Sequence, residues 1–313
     1  MLSYIARRVL STIPVVLIVA LFVFSLLYIA PGDPAAIIAG DQATPADVDR
    51  IRASLGLDRP FLVRFGDWFW HILHGDLGTS IFTNLPVTHM IAQRIEPTVS
   101  LLILTLIISL TFAIPMGVIA AWKHGTWIDR AVMVTAVLGF STPVFVIGYV
   151  LAYVFALRLD WLPVQGFTSI SNGLWPFLRT LILPSVALGL IYMALIARIT
   201  RATMLDVLSQ DYVRTAKAKG VGQRRVLFVH ALKNAAVPIV TIVGIGFAAL
   251  IGGAVVTESV FAIPGLGRLT VDAILRRDYP VIQGVVLLFS FVYVLVNLGV
   301  DLLYTVFDPR IRY

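Results

Sequence analysis

Residues Asp211–Pro238 read DYVRTAKAKGVGQRRVLFVHALKNAAVP, and this stretch decides how the chain is interpreted. It is basic, amphipathic and interrupted by glycine, and it lies between long apolar runs suited to a bilayer. A segment with this charge does not cross a membrane, and its pattern is too regular for an idle loop. We therefore interpret it as an exposed element on which a soluble partner docks, and call it the basic loop.

The composition is that of a multi-pass membrane protein. Of 313 residues, 59% are hydrophobic and 13% are charged, whereas soluble domains carry about a quarter charged residues. The net charge is +7, and the basic residues that cause it lie at the ends of apolar runs. Cytoplasmic Lys and Arg of a membrane protein therefore explain this charge more simply than nucleic acid binding does. The absence of cysteine excludes disulfides, iron–sulfur clusters and Cys-ligated zinc.

Six runs are long enough to span a membrane, since about 20 apolar residues are required. They lie near Val9–Tyr28, Thr98–Trp122, Ala131–Leu157, Leu181–Thr203, Ala235–Thr257 and Val281–Phe307. The first has the basic start of a signal peptide. However, its apolar stretch exceeds the roughly 7–15 residues of a signal core, and no convincing small-residue cleavage site follows. We therefore predict an uncleaved first span.

The charges of the connecting loops predict the orientation. One side carries fourteen basic residues against the four acids Asp129, Asp206, Asp211 and Asp308. The basic residues on that side are Arg7, Arg8, Lys123, Arg130, Arg198, Arg201, Arg214, Lys217, Lys219, Arg224, Arg225, Lys233, Arg310 and Arg312. On the other side ten basic residues are balanced by roughly as many acids. The basic side is therefore predicted to be cytoplasmic, with both termini inside.

We predict three segments along the chain. Residues 1–30 form the N-terminal segment and first span, residues 31–97 an external insertion, and residues 98–313 a core domain of five spans that includes the cytoplasmic loop 204–238. In the insertion, Thr44 as N-cap, Pro45 at the first position and Asp47 in the first turn predict a helix that runs to Leu55 and stops at Gly56.

A second helix is predicted later in the insertion, where Phe61, Phe65, Trp68, Phe69, Ile72 and Leu73 recur at helical spacing. Trp68 and Trp70 suit a helix that lies in the membrane interface. Packing of the same stripe on the external ends of the spans explains it equally well.

Several predicted spans contain helix-breaking pairs. These are Pro115 with Gly117, Pro143 with Gly148, and Pro184 with Gly189. Membrane helices tolerate such residues where neighbouring helices or water satisfy the freed backbone groups. They are common in transporters whose helices bend, and ordinary in rigid bundles as well.

The sequence contains few of the patterns that carry catalysis. No GxxxxGK[ST] phosphate loop occurs, so the chain has no evident means of hydrolysing ATP. No HExxH or paired-histidine helix is present either, and the five histidines are scattered in loops. We expect no catalytic residue, no bound metal and no cofactor on this chain.

Two sites of intramembrane polarity are candidates for a pathway or gate. Asp301 lies one turn after Asn297 in the last span, so both share a face. A proton or cation site is one interpretation. A hydrogen bond to a neighbouring helix is the other, which the lack of a second intramembrane carboxylate favours. Glu258 lies at the external end of the fifth span. Its expected partner is interface water, a basic loop residue such as Arg268, or substrate, and the sequence does not distinguish among these three.

The basic loop has its own internal pattern. Met204, Leu208, Tyr212 and Ala216 recur every four residues, which predicts a helix that continues from the fourth span. Arg214 and Lys217 project from another face, and the small side chains of Ala216 and Ala218 keep the helix narrow. Gly220 suits a helix end that requires positive φ. A second amphipathic run, Arg224–Val237, returns to the membrane, where Pro238 enters the fifth span. Periodicity leaves two roles open: docking in the groove of a partner, and contact with anionic lipid headgroups.

The amino-acid sequence of this loop resembles the cytoplasmic EAA loop of ABC-importer permeases, which docks on the ATPase subunits. DYVRTAKAKG followed by VxxxHALKNAAVPIVT is similar to the peptide-transport branch, and more of that branch's motifs occur in order along nearly the whole chain. These are RRVLSTIPVVLIV, APGDP at Ala30–Pro34, LGLDRP at Leu55–Pro60, HGDLGTS at His74–Ser80, TESVFAIPGLGRL at Thr257–Leu269, RRDYPVIQG at Arg276–Gly284 and VDLLYTVFDPRIRY at the C-terminus. The chain resembles the first of the two paired permeases of dipeptide, oligopeptide and glutathione importers.

The resemblance implies an all-α membrane protein of six transmembrane helices with the type I ABC importer permease fold and an external helical insertion between spans 1 and 2. It also implies an ATPase-coupling helix centred on Arg214–Gly220. The residues assigned to it are Asp211, Tyr212, Arg214, Thr215, Ala216, Lys217, Ala218, Lys219 and Gly220. Gly220 takes the place of the signature glycine of the loop. Thr215 stands where the general motif has its leading Glu, so no acidic contact is implied there.

The resemblance also implies partners and a location. The partners are a second homologous permease, two ATP-binding subunits that carry ATP and Mg, a periplasmic or lipid-anchored peptide-binding protein, and membrane lipid, with no nucleic acid. The location is the bacterial inner cell membrane. The cargo is di- or oligopeptides, with glutathione among them, and nickel or another small solute is an alternative. A rival class is an ion-coupled secondary transporter that uses Asp301 as its coupling site.

Overall fold

The computed structural model describes residues 2–29, 34–39, 44–54 and 57–307. Over these residues the protein is built from helices, and the β-type pairing found there is one bridge between Thr79 and Pro86. The helices are α1 Leu2–Ile29, α2 Pro34–Ala39, α3 Pro45–Ser54, α4 Phe61–Leu73, α5 Val87–Trp122, α6 Trp127–Ser141, α7 Val144–Leu151, α8 Leu174–Leu208, α9 Asp211–Ala218, α10 Gln223–Arg225, α11 Leu232–Val260, α12 Leu266–Arg276 and α13 Tyr279–Phe307. Helix α7 continues as a π-helix over Ala152–Arg158, and a π-helical turn over Val226–Ala231 joins α10 to α11.

Five of these helices are long and apolar enough to cross a membrane, and a bent pair of helices, α6 with the stretch Val144–Arg158, brings the number to six. The bend between the two members of this pair is 103°. The third span predicted over Ala131–Leu157 is thus bent beside Pro143, one of the helix breakers identified in the sequence. Thr142 adopts an extended conformation (φ −90°, ψ 126°), since the residue before a proline is driven out of the helical region.

The contacts at the two ends of this bent pair indicate that it crosses as one span. Near its start, Asp129 contacts Arg201, close to the C-terminal end of α8. Beyond its end, the side chain of Ser169 donates a hydrogen bond to Glu96 of α5, and the N–H of Gly166 donates to the carbonyl of Phe261 just after α11. These partners lie at opposite ends of the helices described next, so the pair passes from one end to the other.

Compact packing divides the chain into two units. The core unit is Ile95–Arg268 with Leu295–Tyr313, and the insertion unit is Met1–Arg94 with Leu269–Val294. The core unit is organised around α5, α8 and α11, with α8 parallel to α5 and antiparallel to α11. Its largest buried cluster includes Leu101, Leu181, Leu188, Tyr192, Ile196, Leu250, Phe261 and Ile263.

Small residues allow the helices of the core unit to approach closely. A Cβ added to Gly117 of α5 would lie 2.6 Å from Thr200 Cβ of α8, and one added to Gly253 of α11 would lie 2.6 Å from Leu188. Tyr192 of α8 donates its hydroxyl to the backbone carbonyl of Val243 in α11. Helix association in membranes depends on such close contacts, because lipid tails are as apolar as the side chains that they would replace.

The insertion unit contains both helices predicted in the external insertion. Helix α3 begins at Pro45, and its N-cap is confirmed: the N–H of Asp47 donates to Thr44 Oγ1, and the Thr44 hydroxyl donates to Asp47 Oδ2 at 2.7 Å. This hydrogen bond holds the pKa of the Asp47 carboxyl below its ordinary value. The helix ends at Ser54, and the predicted stop at Leu55 and Gly56 lies outside the described residues.

Helix α4 packs its aromatic stripe on the end of α1. The ring centroid of Phe24 in α1 lies 5.3 Å from that of Phe61, 5.6 Å from that of Phe65 and 5.1 Å from that of Trp68. Of the two interpretations of this stripe, packing on a span is the one that the structure shows. The guanidinium of Arg64 lies over the Phe24 ring, 5.8 Å from its centroid.

Candidate partner-docking site

The basic loop contains a short helix that is separate from the fourth span. Helix α8 ends at Leu208, and α9 begins at Asp211. Between them Ser209 donates its hydroxyl to the carbonyl of Asp206 at 2.7 Å, and Gln210 is extended (ψ 147°). The prediction of a helix continuing from the fourth span is therefore wrong, because side chains such as Ser and Gln offer the backbone local alternatives to the helix.

The end of α9 has the predicted left-handed turn. Gly220 has φ +80°, which confirms the prediction of positive φ at this position. Its N–H donates to the carbonyl of Lys217 at 3.0 Å, and the N–H of Val221 donates to that of Ala216 at 3.1 Å. Among the described residues beyond its chain neighbours, none lies within 4 Å of a Cβ built on Gly220, so the requirement for glycine is conformational.

One face of the basic loop is anchored to the core unit. Val213 of α9 is fully buried, as are Val226 and Leu227 of the π-helical turn. Asn234, in the first turn of α11, donates to the hydroxyl of Tyr212 at 2.9 Å. The buried residue of α9 is thus Val213. Of the predicted stripe, Tyr212 is exposed and Ala216 is half-buried.

This anchoring reaches three long helices. Leu227 and Ala231 share a buried cluster with Met204 of α8, Val118 of α5 and Ile239 of α11. Close-packed interiors transmit displacement because they have few voids to absorb it. The π-helical turn that follows α9 is therefore close-packed against α5, α8 and α11.

The opposite face of the basic loop is exposed. The Arg214 side chain is 74% exposed and contacts Asp211 one turn earlier at 3.4 Å. Thr215, Lys217, Ala218, Lys219 and Gly220 are also exposed. Phe228 and Val229 are about half exposed. They were not among the predicted site residues, although an apolar pair close to Arg224 and Arg225 is a recognisable signal. The surface thus combines cations with apolar side chains.

Thr215 uses its hydroxyl within its own helix. The Thr215 hydroxyl donates to the carbonyl of Asp211 at 2.9 Å. The position where the general motif carries Glu therefore contributes an exposed, uncharged surface to α9.

The return from the loop is continuous with the fifth long helix, close to the predicted start at Ala235. The π-helical turn leads directly into α11, which begins at Leu232 and includes Pro238 as an internal residue. The fifth helix thus begins before Pro238. A proline inside a helix removes one backbone hydrogen bond and favours a bend, so it does not mark the start of this helix.

A buried ion pair holds the α5–α6 connection beside the basic loop. Asp129 is 4% exposed, and its carboxylate accepts hydrogen bonds from Arg201 Nε at 2.5 Å and from the second Arg201 nitrogen at 2.8 Å. The N–H of Gly125 donates to it at 3.0 Å, and His124 Nδ1 lies 3.2 Å away. The sequence showed these charges, but their pairing depends on the approach of α6 to α8.

We expect Arg201→Ala to destabilise the protein by about 3–5 kcal/mol, because it leaves the Asp129 carboxylate buried without its bidentate partner. The matched control is Arg214→Ala, which removes the same side chain from an exposed pair and is expected to change stability by less than about 0.5 kcal/mol. Thermal unfolding of the purified protein provides the comparison. Equal unfolding temperatures for the two variants would contradict the importance assigned to the buried pair.

Glu258 lies fully buried at the end of the core unit away from the basic loop. Its Oε1 accepts the hydroxyl of Thr98 at 2.6 Å, and its Oε2 accepts the N–H of Arg268 at 2.9 Å. The Thr98 hydroxyl accepts in turn from the N–H of Leu266 at 2.8 Å. Of the partners considered from the sequence, the structure shows Arg268, through its backbone N–H in the first turn of α12. The carboxylate thus fixes the start of α12.

Asn297 and Asp301 lie on α13, and both are half-buried. Asp301 is engaged in an interaction within the chain. The structure does not bring either residue together with Glu258, which belongs to the cluster with Thr98 and Leu266. These three candidates for a pathway or gate therefore do not form one site.

The described residues form a bundle of helices of membrane-spanning length, with a basic loop that is packed on one face and exposed on the other. This is the architecture of a multi-pass membrane protein. Its sequence matches the family of binding-protein-dependent transport system inner membrane components over residues 113–313. The N-terminal domain of such components matches over residues 1–102. The chain belongs to this family.

Relatives of known description are similar over their whole length. A probable peptide ABC transporter permease protein of Sinorhizobium fredii is 56% identical over 99% of both chains. A putative peptide transport system permease protein of Brucella abortus is 47% identical, and the glutathione transport system permease protein GsiC of Salmonella choleraesuis is 45% identical, each over the full length of both chains. The chain is thus a permease subunit of an ABC transporter, which favours the main interpretation over an ion-coupled secondary transporter.

A solved structure shares the fold. The MetNI methionine ABC transporter, in an inward-facing conformation, contains a chain that matches with a TM-score of 0.59. The match covers 70% of this chain and 96% of that one at 15% identity. At this identity the likeness concerns the fold alone, and it agrees with the predicted type I importer permease fold.

Proposed function

We propose that this chain forms half of the translocation path of an ATP-driven importer for di- or oligopeptides, with glutathione within its range. The observation that supports this cargo is the full-length similarity to permeases whose names specify peptide and glutathione transport. The half-path assignment rests on the pairing of two homologous permeases in importers of this type.

The remaining subunits supply the chemistry and the recognition. A second permease completes the path, two ATP-binding subunits carry ATP and Mg, and a periplasmic or lipid-anchored binding protein delivers the peptide. The chain is non-catalytic and binds no cofactor in this proposal. The missing phosphate loop supports this division of labour, because the chain lacks the Gly-rich cradle and Lys that hold nucleotide phosphates.

The basic-loop end of the core unit faces the cytoplasm in this proposal. The excess of fourteen basic over four acidic residues on that side supports the orientation, since cytoplasmic loops are enriched in Lys and Arg. Six crossings place both termini on the same side. The segment 31–97 then faces the binding protein, and the membrane is the bacterial inner membrane.

Helix α9 is the element that couples ATP to transport in this proposal. Its exposed face, with Arg214 and Lys217, lodges in a groove of an ATP-binding subunit, and its buried face passes the motion inward. Support comes from the contrast between two adjacent residues of α9: Val213 is buried, whereas the Arg214 side chain is 74% exposed. Closure of the ATPases around ATP then re-orients α8 and α11 so that the path opens outward, and hydrolysis restores the inward-facing state. The switch requires that the ATPases bind the two states with different affinity.

Reconstitution of the complex tests the proposed cargo and energy source. The tagged chain is purified with its co-purifying subunits and placed in proteoliposomes with the binding protein outside, and radiolabelled dipeptide uptake is measured. We expect uptake that requires ATP inside the vesicles and the binding protein, with unlabelled glutathione or oligopeptide competing. Uptake by the chain alone that ignores ATP and stops with an uncoupler would refute the proposal.

A further inference from the structure

Helix α4 has three distinct sides, and one of them is an uncovered apolar surface. Viewed down the axis at 100° per residue, the residues that pack towards α1 occupy one arc. The exposed apolar residues occupy a second arc of about 100°, and exposed polar residues a third. The exposed apolar residues are Leu62 (75%), Val63 (49%), Trp70 (63%) and Leu73 (64%). The third arc carries Asp67, His71 and His74, all exposed.

A helix that divides its surface among protein, an apolar phase and water is suited to a membrane surface. On a helix that faces only water, exposed apolar residues are usually scattered singly and not gathered into one continuous arc. A helix that is fully buried or spans the bilayer is apolar all round. The wide apolar arc of α4 beside Asp67 and His71 matches the amphipathic pattern of helices that lie in the interface plane. Trp70 adds an aromatic ring of the type enriched at headgroup level.

The contact with α1 places α4 at the corresponding depth. Residues Leu10–Ile29 of α1 have a mean hydropathy of 2.7, and Ile18, Phe22 and Ile29 are 60–68% exposed, so this helix presents its side chains to lipid. Helix α4 packs on Phe24, five residues before Ile29. At about 1.5 Å per residue this is roughly 7 Å from the described end of the span. Interfacial helices bury their apolar face by about 5–10 Å, which agrees with this position.

We propose that α4 is an interfacial helix whose side formed by Leu62, Val63, Trp70 and Leu73 inserts into phospholipid at the boundary between headgroups and acyl chains. The occupant of this surface is the bilayer, because the surface adjoins the lipid-facing end of α1 and has the matching depth. The helix thereby fastens the segment between the first two spans to the periplasmic face of the inner membrane. Asp67 and His71 face water at the upper edge of the helix.

Site-directed spin labelling tests this directly, because the chain has no cysteine to remove. Single variants Leu62→Cys, Leu73→Cys and Trp70→Cys are labelled and compared with the matched controls Asp67→Cys and His71→Cys on the polar arc. The chain is reconstituted with its partner subunits in phosphatidylethanolamine–phosphatidylglycerol vesicles. Power saturation then measures collision of each label with oxygen, which concentrates in lipid, and with a nickel chelate, which stays in water.

We expect the ratio of oxygen to chelate accessibility to be several-fold higher at positions 62, 70 and 73 than at 67 and 71. High chelate accessibility at all five positions would overturn the proposal in favour of an aqueous surface. Low accessibility to both reagents at 62, 70 and 73 would also overturn it, since it would show a covering protein such as the paired permease. Brominated-lipid quenching provides an independent measurement: the chain is expected to lose more tryptophan fluorescence than its Trp70→Phe variant, and equal losses would contradict insertion.

Discussion

Replacing Gly220 with proline will abolish ATP-dependent uptake while the chain remains inserted in the membrane. Gly220 has φ +80°, whereas proline fixes φ near −65°. Proline also removes the N–H that donates to Lys217. The turn that closes α9 cannot form, at a local cost of about 3 kcal/mol or more, so the docked geometry is populated at least about a hundredfold less. Uptake in proteoliposomes and co-purification of the ATP-binding subunits measure the effect.

The chain offers a matched control two residues away. Gly222 has φ −59°, close to the value that proline imposes, and no atom lies within 4 Å of a Cβ built there. We therefore expect Gly222→Pro to transport far better than Gly220→Pro. Gly220→Ala should be intermediate, because alanine meets no neighbour there but adopts the left-handed conformation at a cost of about 1–2 kcal/mol. Similar uptake by both proline variants would remove the support for a docking turn at Gly220.

Charge reversal separates the docking face from the turn. Arg214→Glu combined with Lys217→Glu leaves φ at Gly220 unchanged and is expected to release the ATP-binding subunits. Lys123→Glu combined with Arg130→Glu reverses two charges at the same end of the core unit, outside α9, and should retain them. Retention of the ATPases by both double variants would show that α9 docks without these cations.

The second large effect is expected at Glu258. Glu258→Ala leaves the Thr98 hydroxyl and the Arg268 N–H without their buried acceptor, and each unsatisfied group costs about 1–3 kcal/mol. We expect a total loss of about 2–5 kcal/mol of stability. Glu258→Gln should also destabilise the protein, because its amide NH₂ then faces one of the two donors. The unfolding temperature of the purified protein and its yield from membranes are the measurements.

Two further variants show whether the buried contacts are responsible. Ser259→Ala changes the neighbouring exposed residue and is expected to shift stability by less than about 0.5 kcal/mol. Gly265→Ala should mimic the loss of Glu258, because a Cβ on Gly265 would overlap the Glu258 carboxylate. Gly252→Ala, with open space around its Cβ, is the glycine control. If Gly265→Ala proved as stable as Gly252→Ala, the tight packing around Glu258 would be disproved.

Local chemistry explains which predictions from the sequence were confirmed. The Thr44 cap, the positive φ of Gly220 and the extent of most apolar helices depend on neighbouring residues, which the sequence displays. Pro143 indicated a break in the helix near Thr142. It did not indicate the angle of the bend, because a proline in a membrane helix produces anything from a slight bend to a break. The separation of α8 from α9 was missed because a four-residue repeat continues across Ser209 and Gln210.

The contacts of the polar clusters could not be read from the chain. Glu258 meets Thr98, 160 residues earlier, and Ser80 donates to Asp278 at 2.5 Å, 198 residues later. The second contact joins the HGDLGTS and RRDYP motifs within the insertion unit, which the sequence analysis could not relate. Such pairs follow from the tertiary packing of whole helices, whereas sequence periodicity specifies only the face on which a residue lies.

The break between α6 and α7 has a consequence for where water and protein lie around this chain. Because Pro143 has no N–H, it cannot donate to the carbonyl of Gly139, and the bend interrupts the backbone hydrogen bonding of a segment of membrane-spanning length. Hydrocarbon cannot solvate such groups, so main chain of this kind occurs in membranes only against protein or beside a water-filled cavity. Leu138, Phe140 and Phe145 around the break are 46–62% exposed in this chain. We therefore expect the side of the subunit that carries the break to face protein or water and not acyl chains.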